Sequence, residues 1–506
     1  MHPATPGPGR GARALLISTA VTTLADLQPR RLWAYFQELS RIPRGSKNEA
    51  AAARWAVEQG RELSLEVETD AAGNVLLRKP ATPGREGRPG IALQAHLDMV
   101  CEKNEGTAHD FTKDPIQAHV DGDMVRARGT TLGADNGIGV AAALAVLAEG
   151  TAHPPLEVLL TVDEETGLTG ANAVRAGWLR SARLLNLDSE EEGELSIGCA
   201  GGLDTLATRR VTFAAPSPGR RALRLEVTGL RGGHSGIDIA AGRGNALRIL
   251  GQLLAEVVPA HGLELGGVRG GNKRNAIPRE AWAVVHVEPG REAALAAELA
   301  RLADAWRTAL GAFDPGLAVA LAAPRADDAP AAARALAPAD AAALVGFLLA
   351  APNGVEAMSP DIPGLVQTST NLAVVETKDA AVEVSFLTRS AIDSSKAALA
   401  ARIAGAAALA GFETRSSSGY PGWQPAPGAA VVRLVTSAHE RLFGKPMIVK
   451  AIHAGLECGI LRGKYPDVEM ASFGPSMWDV HTPDERVSIP SVQNFWRLLT
   501  AVLAEA

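Results

Sequence analysis

Cysteine and long apolar runs are both scarce in this 506-residue chain, and each scarcity removes a class of protein. The three cysteines, Cys101, Cys199 and Cys458, form no CxxC pair. A disulfide framework and a thiolate zinc site are therefore not expected, and a reducing, cytoplasmic compartment is. No apolar run approaches the roughly 20 residues that a membrane-spanning helix needs. An excess of charge is missing too. Fifty Lys and Arg stand against 56 Asp and Glu, a formal charge of −6, which supports neither nucleic-acid binding nor electrostatic attachment to a membrane. Neither GxGxxG nor GxxxxGK(S/T) follows a strand, so a phosphate- or dinucleotide-binding enzyme is disfavoured. The first residues hold two arginines and a short apolar stretch, but threonines interrupt it and no clear small-residue cleavage site follows. Residues 1–24 are expected to be a disordered extension, with folded sequence beginning near Leu27.

The chain exceeds the roughly 250–300 residues at which a single core stops growing, so two or more domains are expected. PRRLWAYFQELSRI has helical spacing, with Leu32, Phe36 and Leu39 on one face. Apolar strands then alternate with helices, the pattern of an α/β domain with a mixed, mostly parallel sheet. From about residue 204 the character changes. ALRLEVTGL and AWAVVHVE read as strands of another sheet, and GNALRILGQLLAEVV as a helix packed on it. The Ala/Pro-rich stretch from Ala323 to Val345 reads as a surface excursion. The expected layout is a catalytic domain in two parts, residues 25–203 and 421–506, split by an inserted α+β lid at 204–420.

Four expected strands run into metal-competent residues at their carboxyl ends. Ile91–Ala95 leads to His96, Leu156–Val162 to Asp163, Glu164 and Glu165, Leu184–Leu187 to Asp188, and Val468–Phe473 to a loop reaching His481. In open α/β sheets the ligand crevice lies outside those ends. Asp135, in TTLGADNGIGVA, is expected at or near a helix N-cap, with glycines letting its carboxylate turn inward. Imidazole and carboxylate suit zinc, and a two-metal site needs a bridging carboxylate. The expected set is His96 and Asp188 on one Zn²⁺, Glu165 and His481 on the other, and Asp135 bridging, with Mn²⁺ or Co²⁺ able to substitute. Asp98 can accept the other N–H of His96. Glu164, next to a ligand, can take a proton from water and pass it to a leaving amine. Each feature alone has an ordinary explanation: a surface His-x-Asp pair, a solvated Glu-Glu, a capping Asp135, an exposed acidic run after Asp188, a loop histidine. Five of them at strand ends, satisfying one ligand count, do not.

QAHLDMVCEKN, GTTLGADNGIGVA, VDEETGLTGA, NLDSEEEGELSIGCAGG, GGHSGIDI, GGNKRNAIPREA, YPGWQP, IHAGLECG and FGPSMWDVHTPDERV together resemble the aminoacyl-histidine dipeptidases. These carnosinase-like cytosolic dipeptidases are a branch of the two-zinc exopeptidases. The resemblance runs from about Leu27 to the C-terminus. It implies the ligand roles given above, hydrolysis of small peptides, and substrate contacts from His234, Asn275, Arg389 and Gly455. It also implies a homodimer through the lid, in which His234 is delivered to the partner's site to stabilise the oxyanion. Before the resemblance, His234 in GLRGGHSG reads equally as a turn residue, Arg389 as a surface arginine, and Asn275 as a cap of the turn before Pro278. An N-acyl amino-acid deacylase or an aminopeptidase would use the same metal site. A non-catalytic binding protein would have lost a ligand or the base, and none is lost.

Overall fold

The computed structural model describes residues 23–506; the expected disordered extension falls mostly outside that range. Packing begins slightly earlier than the sequence suggests. A single turn at Leu24–Asp26 precedes the first helix, and Leu24 and Leu27 are both buried.

The first sheet has eight strands. Their order is Glu66–Thr69, Val75–Lys79, Leu156–Thr161, Ile91–His96, Arg183–Asn186, Glu469–Ser472, Glu194–Cys199 and Ile448–Ile452. The third to sixth are contiguous and mutually parallel, so their carboxyl ends share one rim. Alternate side chains bury on opposite faces, as the period-2 pleat requires. Leu93 and Val158 join a core with helices Arg30–Leu39, Ala134–Ala148, Ala430–Phe443 and Ile489–Glu505. Ala92, Leu159 and Leu184 face a second cluster around Trp178, Trp423, Leu461 and Tyr465. Cover on both faces explains why these strands read as almost continuous apolar runs.

The second sheet has nine strands and is antiparallel throughout. It has two halves. Ala318–Ala322, Arg221–Thr228, Ala281–Val287 and Glu264–Gly270 carry helices Ala246–His261 and Glu292–Leu310. Val366–Thr377, with Gly354–Met358 paired beside it, Ala381–Ser390, Gly201–Arg210 and Glu413–Tyr420 carry helices Pro338–Ala350 and Asp393–Leu409. The halves meet through a short register, Arg269 opposite Glu376 and Gly270 opposite Val375. All four helices contribute to one core.

The Ala/Pro-rich stretch is not a surface excursion. Ala335 and Leu336 are buried, Leu344, Phe347 and Leu348 of Pro338–Ala350 lie in the lid core, and Asp328 pairs with buried Arg224. Alanine keeps high helix propensity while leaving room for close packing, so this composition belongs to a helix start and its approach.

Candidate active site

His96 closes strand Ile91–His96 and is buried. Its Nε2 lies 3.0 Å from Asp135 Oδ1 and 3.2 Å from Asp188 Oδ1, and its Nδ1 is 3.3 Å from Asp98 Oδ1. Asp98 also accepts the N–H groups of Glu164 at 3.0 Å and Glu165 at 3.2 Å, and the Ser46 hydroxyl at 2.8 Å. One carboxylate thus fixes the His96 ring and the turn that presents both glutamates. Burial pushes the Asp98 carboxyl up, but His96 and these donors override it and hold it at about 2.

Asp135 does not cap its helix. Gly133 holds φ 70°, and Asp135 and Asn136 have non-helical backbone angles at the head of Ala134–Ala148. The amides there are instead gathered by Glu485, whose carboxylate accepts from Leu132, Gly133, Ala134 and Asp135 at 2.6 to 3.4 Å. Buried Arg44 donates to Leu97 O, Asp98 O and Gly133 O, tying this turn to the His96 strand. Freed from capping, Asp135 uses both oxygens on the site: Oδ1 faces His96, and Oδ2 is 3.1 Å from His481 Nε2. The same His481 nitrogen is 3.0 Å from Glu165 Oε1. His481 sits at φ 64° in the loop between Met477–Trp478 and Arg486–Ser488, a left-handed conformation that costs a non-glycine residue energy and often marks a functional position.

Charge is the outstanding property of this cluster. Burial pushes the Asp188 carboxyl up to about 6 and drives that of Glu164 well above the usual range. Asp135 and Glu165 raise the His481 imidazole to about 11. Each histidine Nε2 therefore lies between two carboxylate oxygens, and one imidazole proton cannot satisfy both. Positive charge higher than that of an imidazole proton fits this donor set. The atoms are the nitrogen and oxygen types that zinc accepts, and His96, Asp135 and Glu165 bring ligand atoms within 4.8 Å of one another.

The sequence did not single out the polar layer behind these ligands. Glu457 is fully buried, and its Oε2 accepts from Gln94 at 2.5 Å and Thr161 at 2.8 Å. Gln94 is linked to Asn186 at 2.6 Å, Asn186 to Ser472 at 2.5 Å, and Ser472 to Ser189 at 2.8 Å. The chain of bonds crosses all four parallel strands just behind their liganding ends. Its signal was available as one polar residue inside each of IALQA, LLTV, LLNL and MASF.

The inserted lid faces the cluster across a cleft of about 1010 Å³. Its lining includes His96, Asp135, Glu164, Glu165, Asp188 and His481 from the first region, and His234, Asn275 and Arg389 from the lid, with Gly455 on the connecting wall. Asp98 alone of the expected residues stands behind the surface. His234 Nδ1 accepts the N–H groups of Gly236 at 3.3 Å and Ile237 at 3.1 Å, which leaves the ring proton on Nε2. That Nε2 lies 3.3 Å from Arg389 Nη2. Arg389 is otherwise held by Tyr420 Oη at 3.1 Å and Ser235 Oγ at 3.3 Å. Two donors thus lie side by side, and among the described residues no acceptor of the chain lies between them. Asn275 makes no side-chain bond within the described residues, so it does not cap the turn before Pro278; its carbonyl accepts from Ser235 at 2.8 Å. A Cβ at Gly455 would meet the Tyr420 ring at 3.0 Å. His234 lines the cleft of its own chain, and its contacts among the described residues are with the lid rather than with the His96 and His481 cluster.

The fold and this cluster define a class. Residues 92–505 match the model of peptidase family M20/M25/M40, and the chain belongs to that family. It is 43% identical over 486 residues to the cytosol non-specific dipeptidase of Escherichia coli K12, covering 96% of this chain and 99% of the relative. The structure of aminoacylhistidine dipeptidase from Vibrio alginolyticus is 43% identical and superposes with a TM-score of 0.89 over 96% of this chain and 98% of that one. An aminopeptidase from Bacillus cereus ATCC 10987 is 18% identical, with a TM-score of 0.55 over 95% of this chain and 99% of its own, and shares the fold. The chain is a peptidase of a divalent-metal-dependent family, and its cluster suits that metal use.

Proposed function

We propose that this chain is a two-zinc dipeptidase of the cytosol, acting on Xaa-His or a broader range of dipeptides. The observation that carries the reading is Asp135, one carboxylate with an oxygen on each of two His–carboxylate sets. The two relatives at 43% identity, a non-specific dipeptidase and an aminoacylhistidine dipeptidase, support the substrate class, and the first supports the compartment by its name.

His96 and Asp188 would hold one ion, Glu165 and His481 the other, and Asp135 both. When bound, the ions supply Lewis acidity and lower the pKa of the attacking water. Glu164 takes the proton of that water and passes it to the leaving amine. Asp98 keeps the His96 ring in the tautomer that leaves Nε2 free for an ion. His234 donates from Nε2 to the oxygen that gains charge in the tetrahedral intermediate. Arg389 pairs with the free carboxylate of a short substrate, and Asn275 and the Gly455 backbone complete the contacts.

The test is release of amino acids from a panel of dipeptides, including β-alanyl-histidine, with a tripeptide, a pentapeptide and an N-acetyl amino acid beside them. Dipeptide cleavage that a chelator abolishes and Zn²⁺, Mn²⁺ or Co²⁺ restores is the expected result. Full activity in protein shown by elemental analysis to be metal-free overturns the mechanism. Preference for the N-acetyl amino acid turns the reading to a deacylase.

A homodimer paired through the lid belongs to the same proposal, supported by exposed Leu349, Val355 and Met358 on that domain. Light scattering checks it. Delivery of His234 to the partner's site belongs to it as well: mixed dimers of His234→Ala and Glu164→Ala should regain activity, since the first variant keeps an intact metal site with its base and the second supplies the histidine. A mixture that stays inactive although mixed dimers form would mean that the histidine acts within its own chain or not at all.

A further inference from the structure

The carboxylates of the cleft can be counted off by role. Asp135, Glu165 and Asp188 face the two histidines. Glu164 is the proposed base, and Asp204 is paired with Arg274. Glu190 remains. It lines the same cleft and is only partly buried, and among the described residues no side chain or backbone N–H reaches its carboxylate.

The acidic run around it makes this an informative exception. Glu191 pairs with Lys450 at 3.1 Å, Glu194 with the same lysine, and Glu192 accepts from Asn494 at 2.9 Å. These neighbours bond away from the cleft, whereas Glu190 stands in its wall. Its backbone is fixed as well. Met477 N–H donates to Glu190 O at 2.9 Å, Ser189 Oγ bonds Ser472 Oγ at 2.8 Å, and the chain passes so close to Gly474 that a Cβ there would strike Ser189 O. An unpartnered carboxylate on a backbone held this firmly serves a ligand better than it serves the fold.

The lid supplies the complement. Arg389, the proposed partner of the substrate's carboxylate, and Lys273 both line this cleft from the lid. A dipeptide is a short zwitterion whose ends lie at most about 7 Å apart. Its carboxylate has donors to meet on the lid, and its ammonium needs an acceptor on the other wall. From this we propose that Glu190 binds the free α-amino group of the substrate and so sets the preference for dipeptides over N-acyl amino acids. The proposal rests on the dipeptidase reading and adds the residue that enforces it.

Alanyl-histidine and N-propionyl-histidine differ only by that amino group, so they are the probes. The zinc-loaded wild-type protein and Glu190→Gln are compared in three ways: kcat/KM for alanyl-histidine, the inhibition constant of N-propionyl-histidine, and metal content by elemental analysis. Loss of one charge-assisted hydrogen bond should lower kcat/KM for alanyl-histidine roughly 10- to 150-fold. The inhibition constant of N-propionyl-histidine and the metal content should stay unchanged, and Glu190→Asp, which keeps the charge, should recover part of the loss. Equal weakening of both probes, a fall in bound metal, or an unchanged kcat/KM overturns the assignment. A wild-type protein unable to cleave alanyl-histidine at all refutes the dipeptidase reading instead, which separates the two failures.

Discussion

The two walls of the cleft are built on opposite principles. On the sheet side, His96, Asp135, Glu165, Asp188 and His481 contact one another at 3.0 to 3.2 Å and concentrate acceptors. On the lid side, Arg389 and His234 present donors with no acceptor between them among the described residues. The first wall is complementary to cations, and in the proposed mechanism the second meets the carboxylate and developing oxyanion of a substrate. Hydrolysis of a short peptide needs both at once, which gives the inserted domain a chemical purpose beyond shape. Each wall can be broken separately, and the symptoms should differ.

The largest expected effect lies on the sheet side. Glu164→Gln should lower kcat by at least roughly 10²–10⁴-fold, because the proton acceptor is gone while the ligand set is intact. Elemental analysis should find metal retained. Glu165→Gln should lose metal instead, since Glu165 Oε1 is one of the two acceptors at His481. Reversed symptoms would exchange the two roles. A smaller effect on the same wall should come from Glu485→Gln. Four amides lean on that carboxylate, so weakening it loosens the turn that aims both Asp135 oxygens. Metal affinity should drop roughly 10- to 100-fold, in the range of other groups that support ligands from behind, as read by competition with a chelating dye.

How far the sequence revealed these walls follows from the same contrast. His, Asp and Glu are the metal-competent types available here, and the fold puts them at strand ends, so the residues that the structure gathers at the cluster were visible by type and position in HLDMV, DEETGL and NLDSEE. Glu485 and Arg44 were not visible. Their partners are backbone groups 350 and 89 residues away in the chain, and no local pattern marks such a contact. Asp135 was expected at a helix start with glycines turning it inward, and Gly133 does hold a left-handed φ there; that a distant glutamate gathers the amides a cap would have taken was not legible. The lid residues became legible only through the family resemblance, since a histidine among glycines and an arginine at a strand end are common elsewhere. The Ala/Pro-rich stretch misled for a related reason: composition alone does not show that a helix from the other half of the sheet waits to pack on it.

On the lid side, Arg389→Lys should raise KM for dipeptides roughly tenfold and change kcat less, because lysine keeps the charge but loses the planar fork that meets a carboxylate with two bonds. A dipeptide amide, which lacks the carboxylate, should be cleaved equally by both proteins. Equal loss on the amide would assign Arg389 to the transition state rather than to the substrate's end.

The smallest effect on turnover, and the one that probes the join between the walls, concerns His453. It is buried beside the cleft, its Nε2 is 2.7 Å from Ser369 Oγ of the lid, and its carbonyl is so near Gly236 that a Cβ there would collide with it. Burial, then the charges of Arg389 and His234, push the imidazole down to about 3. An unfolded chain protonates a histidine near 6.5, whereas the folded chain resists until far lower. The unfolded state therefore binds more protons throughout that window, and stability is lost as pH falls from about 6.5 toward 3. The slope from one such group is at most about 1.4 kcal/mol per pH unit. In metal-stripped protein, where ligand loss cannot intrude, urea unfolding at pH 7.5 and pH 5.0 should show His453→Gln losing up to about 2 kcal/mol less than the wild type between the two conditions. Glutamine can still bond Ser369 but cannot titrate. An identical loss in both proteins would mean that His453 is protonated in the folded state at pH 5.0, and that the seam between lid and catalytic region is open to water.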